Sequence, residues 1–295
     1  MQAESCIASP ELHPLSDAEF LLFQKFVYRE AGIWLSEAKK ALVSGRLSRR
    51  VRQLGLKSFR EYYQTVIGGD ASEYLRLLEQ ISTNETHFFR EPEQFDFLND
   101  VVCPKWVREA QSGTRPRRLR VWCAGCSTGE EPYSLAMTLL AYSPEFSSWD
   151  IRITATDISS RVLEKAKAAI WPIEKIREIP PDLLKRFMLR GVGPRTGQIS
   201  VSAELRSLVS FAHLNLNKPP YAVGGPFDLI LCRNVLIYFD RDSKQRVVSA
   251  LLERLTPDGH FFAGHSENLT LVTDRVRTIR PTIYALRNRV SSRRS

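Results

Sequence analysis

The 295-residue sequence has no apolar run approaching the ~20 residues that a membrane span needs. Its start, MQAESCIASPELHP, carries Glu4 and Glu11 and no basic segment leading into a long apolar one. No signal peptide is therefore expected, and a cytoplasmic location follows. Cysteine is sparse and odd in number (Cys6, Cys103, Cys123, Cys126 and Cys232), which argues against a disulfide framework. The five histidines, His13, His87, His213, His260 and His265, are scattered and form no H-E-x-x-H. No Ser-His-Asp arrangement stands out, and the dinucleotide fingerprint G-x-G-x-x-G is missing.

What is present suits a soluble globular chain of about two domains, with 43% hydrophobic and 25% charged residues. The net charge of +9, from 42 Lys+Arg against 33 Asp+Glu, predicts attraction to something acidic. Nucleic acid, anionic lipid and an acidic protein surface all satisfy that condition.

Residues 1–15 lack periodicity and are expected to be a loose tail. Ser16 with Glu19 makes a capping box before Phe20, Phe23, Phe26 and Val27, and Gly32 stands where a helix C-cap belongs. Ser36 can open a second helix that runs to Leu54 and closes at Gly55. Ser58 with Glu61 opens a third, ended by Gly68-Gly69, and a fourth covers 72–81. Residues 16–81 are thus expected to be an all-helical domain. On the second helix Val43, Leu47, Val51 and Leu54 share one face, while Lys39, Arg46, Arg49 and Arg50 lie mainly elsewhere. By itself such a run is more often a solvated face than a docking surface.

Beyond residue 92 strands and helices alternate. A helix is expected over 93–110, strands over 118–125, 150–157, 227–234 and 260–265, and helices over 130–140, 159–170 and 241–255. The chain should end in a strand or hairpin. This alternation implies an α/β domain with a parallel sheet covered on both faces. Residues 172–226 are irregular, with strand-like runs at 199–201 and 208–213, part of an insertion with a small antiparallel element of its own.

In open α/β sheets ligands bind beyond the carboxyl ends of the strands. The first strand ends in Ala124-Gly125-Cys126-Ser127-Thr128-Gly129-Glu130-Glu131. Two acidic residues at a helix start are unfavourable for a pyrophosphate and suit a cationic ligand, as the sulfonium and ammonium of S-adenosylmethionine are. Asp157 ends the second strand, where a carboxylate can accept from both ribose hydroxyls; its ordinary role would be to cap the helix that follows. The Cys123-x-x-Cys126 pair invites a redox reading, but the acidic helix start disfavours a thiolate. Zinc would need two further ligands, which do not stand at the right spacing, so no metal is expected.

The stretches TNETHFFRE (83–91), STGEEPYS (127–134), TATDIS (154–159), NLN (215–217), FDLILCRNVLIYFD (227–240) and FFAGHSEN (261–268) resemble, in order, the chemotaxis receptor O-methyltransferases, the CheR family. The resemblance spans about 16–287. It implies a helical N-terminal domain, a connecting segment 82–92 that contributes to the cofactor site, and a Rossmann-like methyltransferase domain over 93–288. A β-subdomain would be inserted at about 172–205, with a basic tail at 289–295. It further implies S-adenosylmethionine contacts from Asn84, Thr86, Arg90, Glu131, Asp157, Asn215, Leu216, Arg233 and Asn234, with Arg90 and Tyr238 facing the methyl-transfer site. The partner would be the cytoplasmic helical bundle of a chemoreceptor, met by the basic helix 36–54. That expectation reverses the solvated-face reading. A receptor tail peptide would bind at the β-subdomain, and the enzyme would be a monomer that uses neither nucleic acid nor membrane insertion. Two departures stand in the motifs: Cys123 and Cys126 replace small residues, and Glu85 replaces an apolar or neutral one.

Glutamate as acceptor explains the missing base, since a carboxylate with a pKa near 4.3 is already ionised at neutral pH. A nucleic-acid methyltransferase is the first rival. Asn217-Lys218-Pro219-Pro220-Tyr221 superficially resembles N-P-P-Y, but Lys218 interrupts it, and that motif belongs where this chain has Arg233-Asn234-Val235. The second rival is a cofactor-binding module that signals without catalysis.

Overall fold

The computed structural model describes residues 12–69, 71–82, 84–142 and 144–287. Most of the expected N-terminal tail, Cys6 and the basic tail 289–295 lie outside the described residues. The chain divides into two compact units, Met1–Thr83 and Asn84–Ser295.

The described residues of the first unit form four α-helices: α1 (Asp17–Ala31), α2 (Lys40–Gln53), α3 (Phe59–Ile67) and α4 (Ala71–Ile81). At the start of α1 the Ser16 and Glu19 side chains each accept the other's backbone N–H, which satisfies two donors that the helix cannot use. Gly32 ends α1 with φ 71°, a conformation cheap only without a Cβ. Ser36 precedes a single 3₁₀ turn, Glu37–Lys39, so the second helix is shorter at its start than expected, and Ser36 makes no side-chain cap there. The second capping box is half formed. Ser58 accepts from Glu61, but the Glu61 carboxylate takes the N–H of Lys57. Phe20, Phe23, Val27, Val43, Leu47 and Val51 are all buried, each worth ~1.5–3 kcal/mol on removal from water, and Tyr62 is buried beside them.

The second unit is built on a seven-stranded sheet. Its strands are β1 (Arg118–Ala124), β2 (Asp150–Asp157), β6 (Val209–His213), β7 (Phe227–Cys232), β8 (Leu255–Ala263), β9 (Val276–Arg280) and β10 (Ile283–Leu286), in the order β6-β2-β1-β7-β8-β10-β9. The first five in that order are parallel, and β10 and β9 form the antiparallel hairpin at the edge. Both faces are covered. Leu119, Val121 and Cys123 of β1 enter one core, and Trp122 and Ala124 enter the other. This is why the strand reads as a continuous apolar run. Three further strands, β3 (Ile170–Pro172), β4 (Met188–Arg190) and β5 (Gln198–Val201), form a separate antiparallel sheet in the order β3-β5-β4. The helices are α5 (Pro92–Phe97), α6 (Cys103–Gln111), α7 (Glu130–Tyr142), α8 (Ser160–Ala168), α9 (Pro181–Phe187), α10 (Ala203–Leu208) and α11 (Arg241–Leu252).

The run near 208–213, outside the expected insert, forms β6 and pairs parallel with β2, from Ile153↔Val209 to Asp157↔His213; the long connection from β2, which includes α8 and α10, supplies the crossover that parallel pairing needs. Two details differ from the sequence expectation. The inserted sheet begins two residues earlier than expected, at Ile170. The helix expected over 93–110 is helical throughout but passes through a π turn at Leu98–Val102. Pro104 has no N–H for the Asp100 carbonyl, and the ladder slips by one residue there, with Cys103 donating to Leu98. Among the described residues no helix is long and apolar enough to cross a membrane.

His260 of β8 adds an acid-sensitive element far from the strand ends. Its ring packs against Phe97 with centroids 5.8 Å apart, and Nδ1 has no hydrogen-bond partner. Burial, with help from Lys105 and Arg277, lowers its pKa to about 4. A histidine held neutral in the fold stabilises it above the unfolded pKa near 6.5, and that stability is lost as pH falls toward 4. Between pH 7.5 and 5 the loss should be about 2 kcal/mol. Urea unfolding of His260→Phe should show that much less acid sensitivity than the parent; equal sensitivity would refute the assignment.

Candidate functional site

The strand order reverses between β1 and β7, which opens a crevice beyond their carboxyl ends. The loop after β1 fits there only because of its glycines. Gly125 has φ 91°, and a Cβ on it would lie 2.4 Å from Val235 Cγ2. Its N–H and that of Cys126 donate to the Thr156 carbonyl at 2.8 and 2.9 Å, tying the loop to β2.

Asp157 ends β2 and is 8% exposed. Its Oδ2 accepts the Ser127 N–H at 2.9 Å, and its Oδ1 accepts the Ser159 N–H at 3.0 Å. The Ile158 N–H acts on the same carboxylate, which keeps acceptor capacity to spare. Burial raises the carboxyl pKa, and the backbone donors oppose that rise. The Asp157 carbonyl accepts from Leu214 at 2.9 Å, which places Asn215 and the buried Leu216 beside β2 just after β6.

Arg233 follows β7 and lies in a cluster of charge. Its Nε is 3.5 Å from Glu91 Oε2 and 3.5 Å from Glu131 Oε2, and its Nη2 donates to the Arg90 carbonyl. The Arg233 side chain is 2% exposed. Burial raises the pKa of Glu131, an effect that the Arg233 charge counters most strongly. Asn234 has φ 58° and its amide lies 3.5 Å from Glu91 Oε1. Tyr238 closes the 3₁₀ turn Leu236–Tyr238 that follows and is partly buried.

The segment 84–91 is bonded to the loop after β1, to α7 and to the 3₁₀ turn Ile173–Glu178. Ser127 Oγ donates to the Asn84 carbonyl at 2.9 Å, Phe89 N–H to Ser134 Oγ at 3.0 Å, and Phe88 N–H to Glu178 Oε2 at 2.9 Å. Lys175 donates to the Thr86 carbonyl at 3.0 Å and lies 3.1 Å from Glu178 and 3.6 Å from the buried Glu130. The Arg90 side chain donates to the Glu85 carbonyl at 3.2 Å.

The structure thus joins Asn84 to Asp157 through Ser127, and gathers Arg90, Glu131 and Asn234 around Arg233 and Glu91, with Thr86, Asn215, Leu216 and Tyr238 on neighbouring loops. Sequence reasoning overlooked Glu91 and Lys175, and also Glu267, whose carboxylate accepts the Asn234 N–H at 2.9 Å. Glu91 and Glu267 stand inside the quoted stretches TNETHFFRE and FFAGHSEN, so a signal existed. Cys123 and Cys126 are buried, and burial pushes both thiols well above the ordinary value, with Glu131 and Asp157 adding to the effect. Desolvation, more than the acidic helix start, disfavours a thiolate here.

The basic helix is less available than its sequence suggests. Arg50 forms a buried ion pair with Glu73, and Arg46 donates to the Ile81 carbonyl. Arg49 and Arg52 are exposed.

Comparison with known proteins gives concordant results. Residues 84–285 match the family described as CheR methyltransferase, SAM binding domain, and residues 18–82 match CheR methyltransferase, all-alpha domain. The chain is 41% identical over 267 residues to chemotaxis protein methyltransferase 2 of Pseudomonas aeruginosa, covering 90% of this chain and 92% of that one. It is 41% identical over 276 residues to the chemotaxis protein methyltransferase of Escherichia coli, covering 92% of each. The corresponding protein of Borreliella burgdorferi is 37% identical over 247 residues, covering 83% and 86%.

Proposed function

The chain belongs to the CheR methyltransferase family, and from that premise we propose that it esterifies glutamate side chains on the cytoplasmic domains of chemoreceptors. It is an S-adenosylmethionine-dependent methyltransferase of chemotaxis adaptation.

The observation that carries the reading is the buried Asp157 at the carboxyl end of β2, held by the Ser127 and Ser159 N–H groups, with Arg233 between Glu91 and Glu131 at the end of β7. Its remaining acceptor capacity suits a ribose hydroxyl, and the acidic loop suits a cation better than a phosphate. In this reading Asn84, Thr86, Arg90, Glu131, Asp157, Asn215, Leu216, Arg233 and Asn234 hold the cofactor, and Arg90 and Tyr238 face the acceptor.

When bound, S-adenosylmethionine supplies an electrophilic methyl group on a sulfonium. The acceptor carboxylate is ionised without help. The residues therefore serve to align the two partners and exclude water, and alignment can contribute ~7–11 kcal/mol in favourable cases. The Arg90 guanidinium orients a carboxylate by charge, and the Tyr238 hydroxyl can donate one hydrogen bond to the acceptor.

The test uses methyl-labelled cofactor with receptor cytoplasmic fragments or nucleic acid. Base-labile label released as methanol supports the glutamyl ester; stable label on nucleic acid, or cofactor binding with no transfer, would sink it. Arg90→Ala should abolish transfer while the circular dichroism spectrum stays that of the parent. Near-normal turnover would refute its role.

The exposed Arg49 and Arg52 supply the charge that an acidic receptor surface needs. Reversing both to Glu should raise KM for receptor fragments about tenfold at low salt, with cofactor affinity unchanged. An unaltered KM would remove α2 from the docking surface. A receptor tail peptide is assigned to the inserted sheet, whose β4 edge and adjoining loop leave Leu189 56% and Val192 80% exposed. The chain works as a monomer in this reading, and its substrate places it in the cytoplasm.

A further inference from the structure

We propose that Glu267 is a positioning residue of the methyl-transfer site, acting through the turn that carries Asn234 and Tyr238. The inference rests on the methyltransferase reading and goes beyond it. Glu267 lies in the loop after β8 and is 6% exposed. Its Oε2 accepts the N–H of Gly264 at 2.7 Å and of Asn234 at 2.9 Å, and its Oε1 accepts the N–H of Ile237 at 3.2 Å. One carboxylate therefore spans the turn from its first residue to the one before Tyr238.

The turn needs this support. Asn234 has φ 58°, a left-handed conformation that a non-glycine residue holds only where its surroundings impose it. The loop after β8 presses directly on it: a Cβ on Gly264 would lie 2.6 Å from Asn234 Nδ2 and 2.7 Å from its N. Glu91 grips the same residue from the other side, with Oε1 3.5 Å from the Asn234 amide and 3.1 Å from the His265 N–H. Glu267 is acceptor-only while ionised, and every partner named here is a backbone donor. Burial raises its pKa, and the backbone N–H groups of the turn oppose the rise. A glutamine would have to aim its amide hydrogens at one or more of those donors, which displaces the turn without emptying the space.

A plain structural staple and a positioning residue differ in their coupling to Tyr238. We would compare kcat, KM for a receptor fragment, affinity for S-adenosylhomocysteine and urea midpoints for the parent, Glu267→Gln, Tyr238→Phe and the double variant. Glu267→Gln should lower kcat about 30-fold in the parent and under about threefold in Tyr238→Phe, a coupling of the size that contacting residues show. Equal losses in both backgrounds, or losses that follow the unfolded fraction, overturn the proposal. Should Glu267→Gln fail to fold, Gly264→Ala displaces the same turn from outside the carboxylate and carries the same comparison with Tyr238→Phe. A parent that transfers no methyl to the fragment refutes the function itself; an active parent with additive variants refutes only the role of Glu267.

Discussion

Asp157→Asn is expected to weaken binding of S-adenosylhomocysteine by about a hundredfold, from the loss of one acceptor and of the charge behind the other, at ~1.5 kcal/mol each. Both Asp157 oxygens already accept a backbone N–H, from Ser127 and Ser159. The remaining lone pairs are what the carboxylate can offer a ribose. An asparagine can keep only one acceptor oxygen. Its amide must face Ser127 N–H or Ser159 N–H, two donors in contact, and it withdraws one acceptor from the ligand. If the loop moves to relieve that conflict, it moves Gly125 and Cys126 with it, since both are bonded to Thr156 next door. Calorimetry with S-adenosylhomocysteine and with its 2′-deoxy analogue separates these effects. The parent should discriminate strongly against the deoxy ligand and the variant weakly. Affinity within threefold of the parent would remove Asp157 from the cofactor site.

Much of this site was legible because its parts are local. Gly125 and Gly129, Asp157 at a strand end, and the acidic start of α7 lie within a few residues of the strands that position them, and apolar runs mark those strands. The Ser16–Glu19 box is local in the same way. What sequence could not show is long-range pairing. Glu91 meets His265 and Asn234 across the sheet, and Glu267 meets Asn234 and Ile237 from a different strand end. Nothing in the spacing of those residues announces the contacts. Arg50 illustrates the same limit on a helix surface, where a sequence cannot tell a solvated arginine from one held by Glu73. For β6 the period and composition were those of a strand, but which sheet it joined depended on the long crossover from β2 that includes α8. The π turn was within reach, since Pro104 is visible in the sequence and denies the Asp100 carbonyl its donor.

The second large effect concerns Arg233, which the family resemblance assigns to the cofactor and which the structure surrounds with carboxylates. Arg233→Met keeps much of the side-chain volume and removes the charge. Glu91 and Glu131 would then share a buried space with their common cation gone, although each now lies 3.5 Å from its Nε. Breaking a buried pair in this way typically costs about 3–5 kcal/mol. The fold has an escape: one carboxylate takes up a proton. Burial already raises the Glu131 pKa while Arg233 opposes it, so without Arg233 it rises further. An acid whose folded pKa exceeds its unfolded one contributes stability below the unfolded pKa, and that contribution is lost as pH rises through the folded value. The deficit of Arg233→Met should accordingly be largest at pH 7.5 and shrink as the pH falls and Glu131 takes up its proton. Urea midpoints of parent and variant over that fall in pH test this directly. A deficit independent of pH would mean that lost packing against Phe95, whose ring centroid lies 5.7 Å from the guanidinium, outweighs the charge. Arg233→Lys completes the argument. It restores the positive charge but not the reach to the Arg90 carbonyl, so it should recover most of the stability at pH 7.5 and little of the methyl transfer.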